Sequence, residues 1–367
     1  MKFAIDRTSL MRPLNQLSSV VERRTTIPIL SNIVLSAQAG QLSLTATDME
    51  IDIVTTLNCA IATEGSCTCP AHLLNDIVRK MPEGAEINIE VAASQAQISA
   101  GRSNFKLPTL PVEDFPTFNA GEMPVQFTLT AADLRHQIDT TQFAISTEET
   151  RYYLNGIYFH KNDNGALAAV ATDGHRLAMT IMDMPSGADQ IPNIILPRKA
   201  VAEIRKMIGE DEGEVVVSLS ETRAAFSFGD VKLTSKLIDG SFPDYTRVIP
   251  KGNDKMVTVD TALFAAAVDR VSTISADKSK AVKVSLSQNL LTLSASTAEA
   301  SSATEELEVD YSSDEMEIGF NARYLLDIAK QVESETMQIA LSDPSSPSLI
   351  STPGDEANMF VLMPMRV

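Results

Sequence analysis

The chain repeats itself three times. "LTATDMEIDI" (44–53) is similar to "AVATDGHRLAM" (169–179), and Asp48 and Asp173 stand 125 residues apart. "CPAHLLNDIVRKM" (69–81) is similar to "LPRKAVAEIRKMI" (196–208) and "FNARYLLDIAKQV" (320–332), with starts 127 and 124 residues apart. "LPVEDFPTF" (110–118) is similar to "LIDGSFPDY" (237–245), and Pro116 and Pro243 are again 127 apart. Three weak matches at one spacing and in one order constrain the fold more than any single motif. They predict three copies of a module of roughly 120 residues, a common domain size. The expected boundaries are 1–120, 125–250 and 254–367.

Each module has the same order of elements. A short alternating strand opens it: "KFAI" (2–5), "VQFTL" (125–129) and "MVTV" (256–259). A helix follows, read from apolar residues three and four apart. Leu10, Leu14 and Leu17 mark it in the first copy, Leu134 and Ile138 in the second, and Leu263, Ala267 and Val271 in the third. Thr8 or Ser9, Thr130 and Asp260 are the expected N-caps. Strands come next, as in "NIVLSAQAGQLSLTATD" (32–48), with a hairpin turn at Ala39-Gly40. A second helix is expected at 71–81, 198–208 and 321–332, and further strands close the module.

At 367 residues, 44% hydrophobic and 21% charged, the chain reads as globular and too long for one core. It has no run of about 18 apolar residues, so no membrane-spanning helix is expected. "MKFAIDRTSL" alternates and carries Asp6, unlike a signal peptide. Cys59, Cys67 and Cys69 form neither a disulfide framework nor a zinc pattern. Cys67 and Cys69 share one face of a strand, as small residues in a reducing cytoplasm. No metal-ligand spacing, Walker loop or dinucleotide fingerprint occurs, so no metal or cofactor is expected.

"VATDGHRLAM" (170–179) places a carboxylate beside an imidazole, a common route to acid–base chemistry. The repeat argues otherwise. The first copy has Met49, Glu50 and Ile51 where the second has Gly174, His175 and Arg176, and the third, near "SASTAEASS" (294–302), lacks the group. The scaffold therefore supplies a turn, which the second module decorates. A binding role, a bare turn with Gly174 at positive φ, and a hydrolytic site at Asp173 and His175 are the three readings. No serine or cysteine nucleophile is signalled for the last.

Net charge is −18, which argues against a simple nucleic-acid binder. The charge is uneven, however. Windows 7–24, 71–81, 130–145, 197–208, 261–274 and 321–333 hold fourteen Lys/Arg against eight Asp/Glu, a surplus of six, which leaves −24 elsewhere. Basic helices among acidic strands would suit a polyanion if the helices shared one side, while the acidic remainder repels other nucleic acid.

"TDGHRLA", "RYYLNG" (151–156), "TSKLIDGSFPDYTRVIP" (234–250) and the terminal "VLMPMRV" (361–367) resemble the bacterial DNA sliding clamps, beta subunits of DNA polymerase III, and the match runs the whole chain. The resemblance implies an α+β fold of three repeated clamp-type (processivity-fold) domains, with helices lining the inner face and antiparallel sheets outside. It implies a non-catalytic, cytoplasmic, ring-shaped homodimer that encircles double-stranded DNA without sequence preference and makes polymerases processive. The clamp loader, DNA polymerases and repair proteins are the implied partners, through short peptides.

Arg24, Arg79, Arg198, Lys199, Arg205 and Lys206 are the candidate phosphate contacts, and the family pattern adds Tyr152 and Tyr153. For the peptide groove it implicates Arg151, Leu154, Thr172, Gly174, His175, Arg176 and Leu177, then Pro243, Arg247 and Val248, then Val361, Met363, Pro364, Met365 and Arg366. An apolar groove with methionines suits varied peptides. Arg102, Phe105 and Leu107 are expected to meet Thr273, Ile274, Glu299 and Glu305 across the dimer contact. The sequence departs from the family pattern at "PAHLLND", where His72 and Leu73 replace basic residues, and at "AEASSATEE", where serines replace glutamates. An enzyme at the Asp173 turn and an acidic scaffold that binds only proteins are the rival readings.

Overall fold

The structure, a computed structural model, describes residues 1–92, 94–118, 121–210, 212–275, 281–297 and 301–366. The first module runs β1 (Lys2–Asp6), α1 (Arg7–Val20), β2 (Asn32–Gln38), β3 (Gln41–Thr47), β4 (Ile51–Asn58), β5 (Ala60–Thr63), β6 (Gly65–Pro70), α2 (Ala71–Lys80), β7 (Glu86–Ala92), β8 (Gln95–Ala100) and β9 (Ser103–Pro108). The second runs β10 (Val125–Thr130), α3 (Ala131–Gln142), β11 (Gly156–Lys161), β12 (Leu167–Thr172), β13 (Arg176–Met182), β14 (Ile194–Pro197), α4 (Arg198–Ile208), β15 (Glu214–Leu219), β16 (Arg223–Phe228) and β17 (Val231–Lys236). The third runs β18 (Lys255–Asp260), α5 (Thr261–Ser272), β19 (Ala281–Ser287), β20 (Leu290–Ser296), β21 (Ser302–Glu308), β22 (Met316–Asn321), α6 (Ala322–Ala329), β23 (Thr336–Leu341), β24 (Ser348–Ser351) and β25 (Asn358–Leu362).

The compact units are not the modules. Unit one is Met1–Arg135, Pro185–Pro192 and Lys199–Leu237, and unit two is His136–Met184, Asn193–Arg198 and Ile238–Val367. Unit one holds a five-stranded sheet, β5-β1-β7-β8-β9, and an eight-stranded sheet, β10-β15-β16-β17-β4-β3-β2-β6. Unit two holds an eight-stranded sheet, β14-β11-β12-β13-β25-β24-β23-β18, and a four-stranded one, β21-β20-β19-β22. Each eight-stranded sheet joins two modules edge to edge. β17 pairs antiparallel with β4, and β13 with β25. A module edge would otherwise expose a row of unpaired backbone groups, and pairing removes it.

Local chemistry explains several element ends. Asp6 caps α1, accepting from the Thr8 and Ser9 N–H groups, so the cap lies before the expected Thr8 or Ser9. A carboxylate there satisfies two orphan N–H groups at once. Thr130 and Asp260 cap as expected, accepting from Asp133 N and Leu263 N. Ala39 and Gly40 both have positive φ, which makes the two-residue hairpin turn that the sequence signals. Leu10, Leu14, Leu17, Leu134 and Ile138 are buried, but Leu263 is 58% exposed and Phe264 fills the core in its place. Cys67 and Cys69 are buried and unpaired in β6.

α1 ends at Val20, so Glu22, Arg23 and Arg24 follow the helix rather than lie on it. The six α-helices of the described residues carry eleven Lys/Arg against six Asp/Glu, so the basic surplus survives the shorter bounds.

Candidate functional site

The stretch 170–179 ends β12, turns, and starts β13. Thr172 Oγ1 donates to Arg176 O at 2.7 Å and accepts from Gly174 N at 3.1 Å. Asp173 Oδ1 accepts from the N–H groups of His175 and Arg176 at 2.9 and 3.0 Å. Gly174 sits at φ +86°. Residues 47–51 build the same turn. Thr47 Oγ1 bonds Ile51 O and Met49 N, and Asp48 Oδ1 bonds Glu50 N and Ile51 N. Met49 takes the positive φ there, at +75°.

Both Asp173 oxygens are therefore occupied. Oδ1 closes the turn, and Oδ2 accepts from Arg176 Nε at 3.1 Å. Among the described residues no hydrogen bond links the carboxylate to the His175 ring, which instead stacks near Tyr324 at 6.3 Å between centroids. A base needs an orienting hydrogen bond to be an effective acid–base group. Nothing of that kind is assembled here among the described residues.

Arg176 is a structural anchor. Its side chain is only 10% exposed. Nη1 donates to Asp327 Oδ2 at 2.6 Å and Nη2 to Phe143 O at 2.7 Å. Its guanidinium carbon lies 4.3 Å from the Tyr324 ring centroid and 5.0 Å from that of Phe143. Asp327 and Tyr324 are on α6, so the turn of the second module is tied to a helix of the third.

The other groove candidates cluster around it in unit two. Leu177 and Val361 face one another across β13 and β25 and pack with Val170 and Tyr245. Phe242 stacks on Tyr158 at 4.7 Å. Met363 is 40% exposed, and its N–H donates to His175 O at 2.9 Å. Leu154 is buried, while Pro243, Arg247 and Val248 are exposed, with Arg247 paired to Asp244. Arg151 pairs with Glu148 and reaches Asp173 O. Pro364 and Met365 are half-buried, Arg366 is exposed, and Met365 N bonds Gly319 O at 2.9 Å. Sequence reasoning missed Phe143, Tyr158, Phe242, Tyr245, Tyr324 and Asp327. Only the Phe242–Tyr245 pair had a signal, since Phe115 and Phe118 stand 127 residues earlier.

Three family models cover nearly the whole chain: DNA polymerase III beta subunit N-terminal domain on 1–119, central domain on 128–244 and C-terminal domain on 246–366. The chain belongs to the DNA polymerase III beta subunit family. It is 48% identical to the beta sliding clamp of Caulobacter vibrioides and 39% identical to that of Escherichia coli, over all of each chain. A sliding clamp structure from Bartonella birtlesii, bound to griselimycin, matches at TM-score 0.98 and 48% identity over all of both chains. The fold is three clamp domains of mixed α+β, and the family is a non-catalytic processivity factor.

The candidate DNA contacts of this beta subunit family member are unequal. Lys199 pairs with Asp48 and Glu22, Arg205 with Glu210, Lys206 with the buried Glu203, and Arg79 with Asp76. Arg24 and Arg198 are exposed and make no ion pair among the described residues. Tyr152 is 54% exposed and meets Tyr153 edge-on at 5.7 Å. His72 Nε2 lies 2.8 Å from Val21 O, and Leu73 is exposed.

The candidate dimer residues lie on or beside sheet edges. Phe105 and Leu107 are on β9, an edge of the five-stranded sheet, and Arg102 precedes it. Phe105 is exposed but Leu107 is buried. Glu305 is on β21, an edge of the four-stranded sheet, and pairs with Arg270. Thr273 and Ile274 follow α5, and Glu299 lies outside the described residues.

Proposed function

We propose that the chain closes as a homodimeric ring around double-stranded DNA in the cytoplasm and that the groove beside the Thr172–Arg176 turn takes short peptides of its partners. Open, sequence-independent DNA binding reaches only about 10⁻⁴–10⁻⁶ M at physiological salt. A ring replaces affinity with linkage, so mobile contacts from Arg24, Arg79, Tyr152, Tyr153, Arg198, Lys199, Arg205 and Lys206 suffice. β9 of one protomer and β21 of another supply the two unpaired edges that closure needs.

The observation that carries the peptide reading is the apolar cluster of Val170, Leu177, Tyr245 and Val361, with Met363 exposed two residues beyond Val361. Such a cluster with a few rim polar groups suits a short apolar motif from a polymerase, the clamp loader or a repair protein. Arg176 is held in place beside the groove by its bonds to Asp173, Asp327 and the Phe143 carbonyl, which use three of its five N–H donors. The hydrolase reading loses support, since the Asp173 carboxylate is committed to the turn.

The test is a titration with a peptide rich in glutamine, leucine and phenylalanine. Deleting Met363–Val367 strips apolar contact worth roughly 25 cal/mol per Å² and should abolish measurable binding. His175→Ala should weaken it only a few-fold. Unchanged affinity in the deletion would remove the groove assignment. Retention on nicked circular but not linear DNA tests the ring.

A further inference from the structure

Unit one contains a counterpart of the unit-two groove, with the same backbone and different chemistry. In unit two, β11, β12, β13 and β25 present Tyr158, Val170, Leu177 and Val361 to Phe242 and Tyr245. In unit one, β2, β3, β4 and β17 hold the matching places. The shared turn aligns Thr47 with Thr172. Strand register then aligns Val34 with Tyr158, Thr45 with Val170, Asp52 with Leu177 and Thr234 with Val361. Lys236 N donates to Glu50 O at 2.9 Å, as Met363 N does to His175 O. The connector repeats as well. Phe115 packs with Ile29, Leu30 and Val34, in the way that Phe242 stacks on Tyr158. Phe118 stands where Tyr245 does, under the guanidinium of Arg223 at 4.6 Å.

The floor has changed from apolar to polar. Asp52 replaces a leucine, and two threonines replace valines. The Asp52 carboxylate is half-buried and has no hydrogen bond or ion pair among the described residues. Arg223 Nη1 is buried and has no acceptor among the described residues. The half-buried Asp52 carboxylate has no protein donor among the described residues, so a cationic side chain laid over this face would meet an ionised acceptor. Of the charges on β17, Lys232 acts on Asp52 through its field without forming an ion pair. Lys236 is paired to Glu50, and Lys232 is exposed on the strand. The rim, in contrast, is apolar. Met49 is 44% exposed in the place of Gly174. Ile27 is 45% exposed three residues before Leu30, as Arg151 stands three before Leu154.

We propose that this groove is a second peptide-recognition site, for an extended segment of a partner protein that sets a basic side chain on Asp52 and an apolar one on the Met49 and Ile27 rim. The two grooves then read different motifs, one apolar and one with a basic residue.

The test uses the full chain labelled with ¹³C in its methionine methyls, so that Met49 reports unit one and Met363 reports unit two. The probes are acetyl-Leu-Arg-Leu-Phe-amide and the same peptide with glutamine for arginine. The arginine peptide should shift Met49 in the wild type and equally in the Met363–Val367 deletion, which lacks the unit-two groove rim. Asp52→Asn should weaken that titration by about tenfold, because an ionised partner is lost. The inference is overturned if Met49 stays unmoved to millimolar peptide, if the glutamine peptide moves it equally, or if Asp52→Asn leaves the titration unchanged. A Met49 shift that follows protein concentration without peptide would assign the groove to a second copy of this chain, and also overturns it.

Discussion

Arg176 and Asp52 show how far a side chain's neighbours decide what it does. Arg176 is enclosed by Asp173, Asp327, the Phe143 carbonyl and two rings. Arg176→Ala strands two carboxylates, a loss of roughly 3–5 kcal/mol for a buried pair broken on one side. A lower urea midpoint is the expected result, and Arg176→Lys should restore little of it, since one ammonium cannot replace a planar fork. His175→Ala, on an exposed ring, should leave the midpoint nearly unmoved. Asp52 behaves in the opposite way. Burial pushes its carboxyl up from 3.8 to about 6, with Lys232 opposing. The folded state therefore holds this proton more tightly than the unfolded state. Its charging penalty is absent below pH 4 and grows until pH passes 6. Asp52→Asn should raise stability at pH 8 by about 1–2 kcal/mol after solvent screening, with little change at pH 4. Urea midpoints at the two pH values check this. The sequence made His175 and Arg176 look alike as rim residues. Their difference depends on α6, about 150 residues away, which no local pattern reports.

At the scale of elements, the turns separate backbone need from side-chain use. Gly174 at φ +86° has two reasons to be glycine, because a Cβ would stand 2.6 Å from Arg151 Nη1. Gly174→Ala should therefore cost about 1–2 kcal/mol for the left-handed residue and also push Arg151 aside. Met49 holds the same conformation with a full side chain at φ +75°. Met49→Gly should accordingly be neutral or stabilising by up to about 1 kcal/mol, as relief of strain offsets the freer unfolded chain. The thermal midpoint should fall for Gly174→Ala and hold or rise for Met49→Gly. The hairpin at Ala39-Gly40, the six helices and the Thr130 and Asp260 caps were legible because their signals are local. The Asp6 cap was missed because strand β1 runs straight into the helix, which hides the boundary. Leu263 misled because an apolar residue at core spacing was outcompeted by its neighbour Phe264.

For the whole molecule, the threefold repeat was legible, but its consequence in the sheets was not. Pairing β17 with β4 and β13 with β25 is non-local, so three sequence modules became two units that each share the second module. The charge pattern divides in the same way. The surplus on the helices was countable, but which cations are free depends on tertiary partners. Lys199 and Lys206 already answer Asp48 and Glu203, whereas Arg24 and Arg198 answer nothing among the described residues. A phosphate must displace the carboxylate from the first pair and need displace only water from the second. Each phosphate contact contributes about 0.9 to the slope of log affinity against log salt. Arg24→Ala with Arg198→Ala should lower the slope by about 1 for every phosphate that is no longer neutralised, with a parallel fall in affinity. Lys199→Ala with Lys206→Ala removes the same formal charge and should change the slope much less. Binding of the closed clamp to a short blunt duplex, measured by anisotropy from about 50 to 200 mM salt, separates the two pairs. Equal slopes in both double variants would mean that ion pairing on the helices does not decide which cations meet DNA.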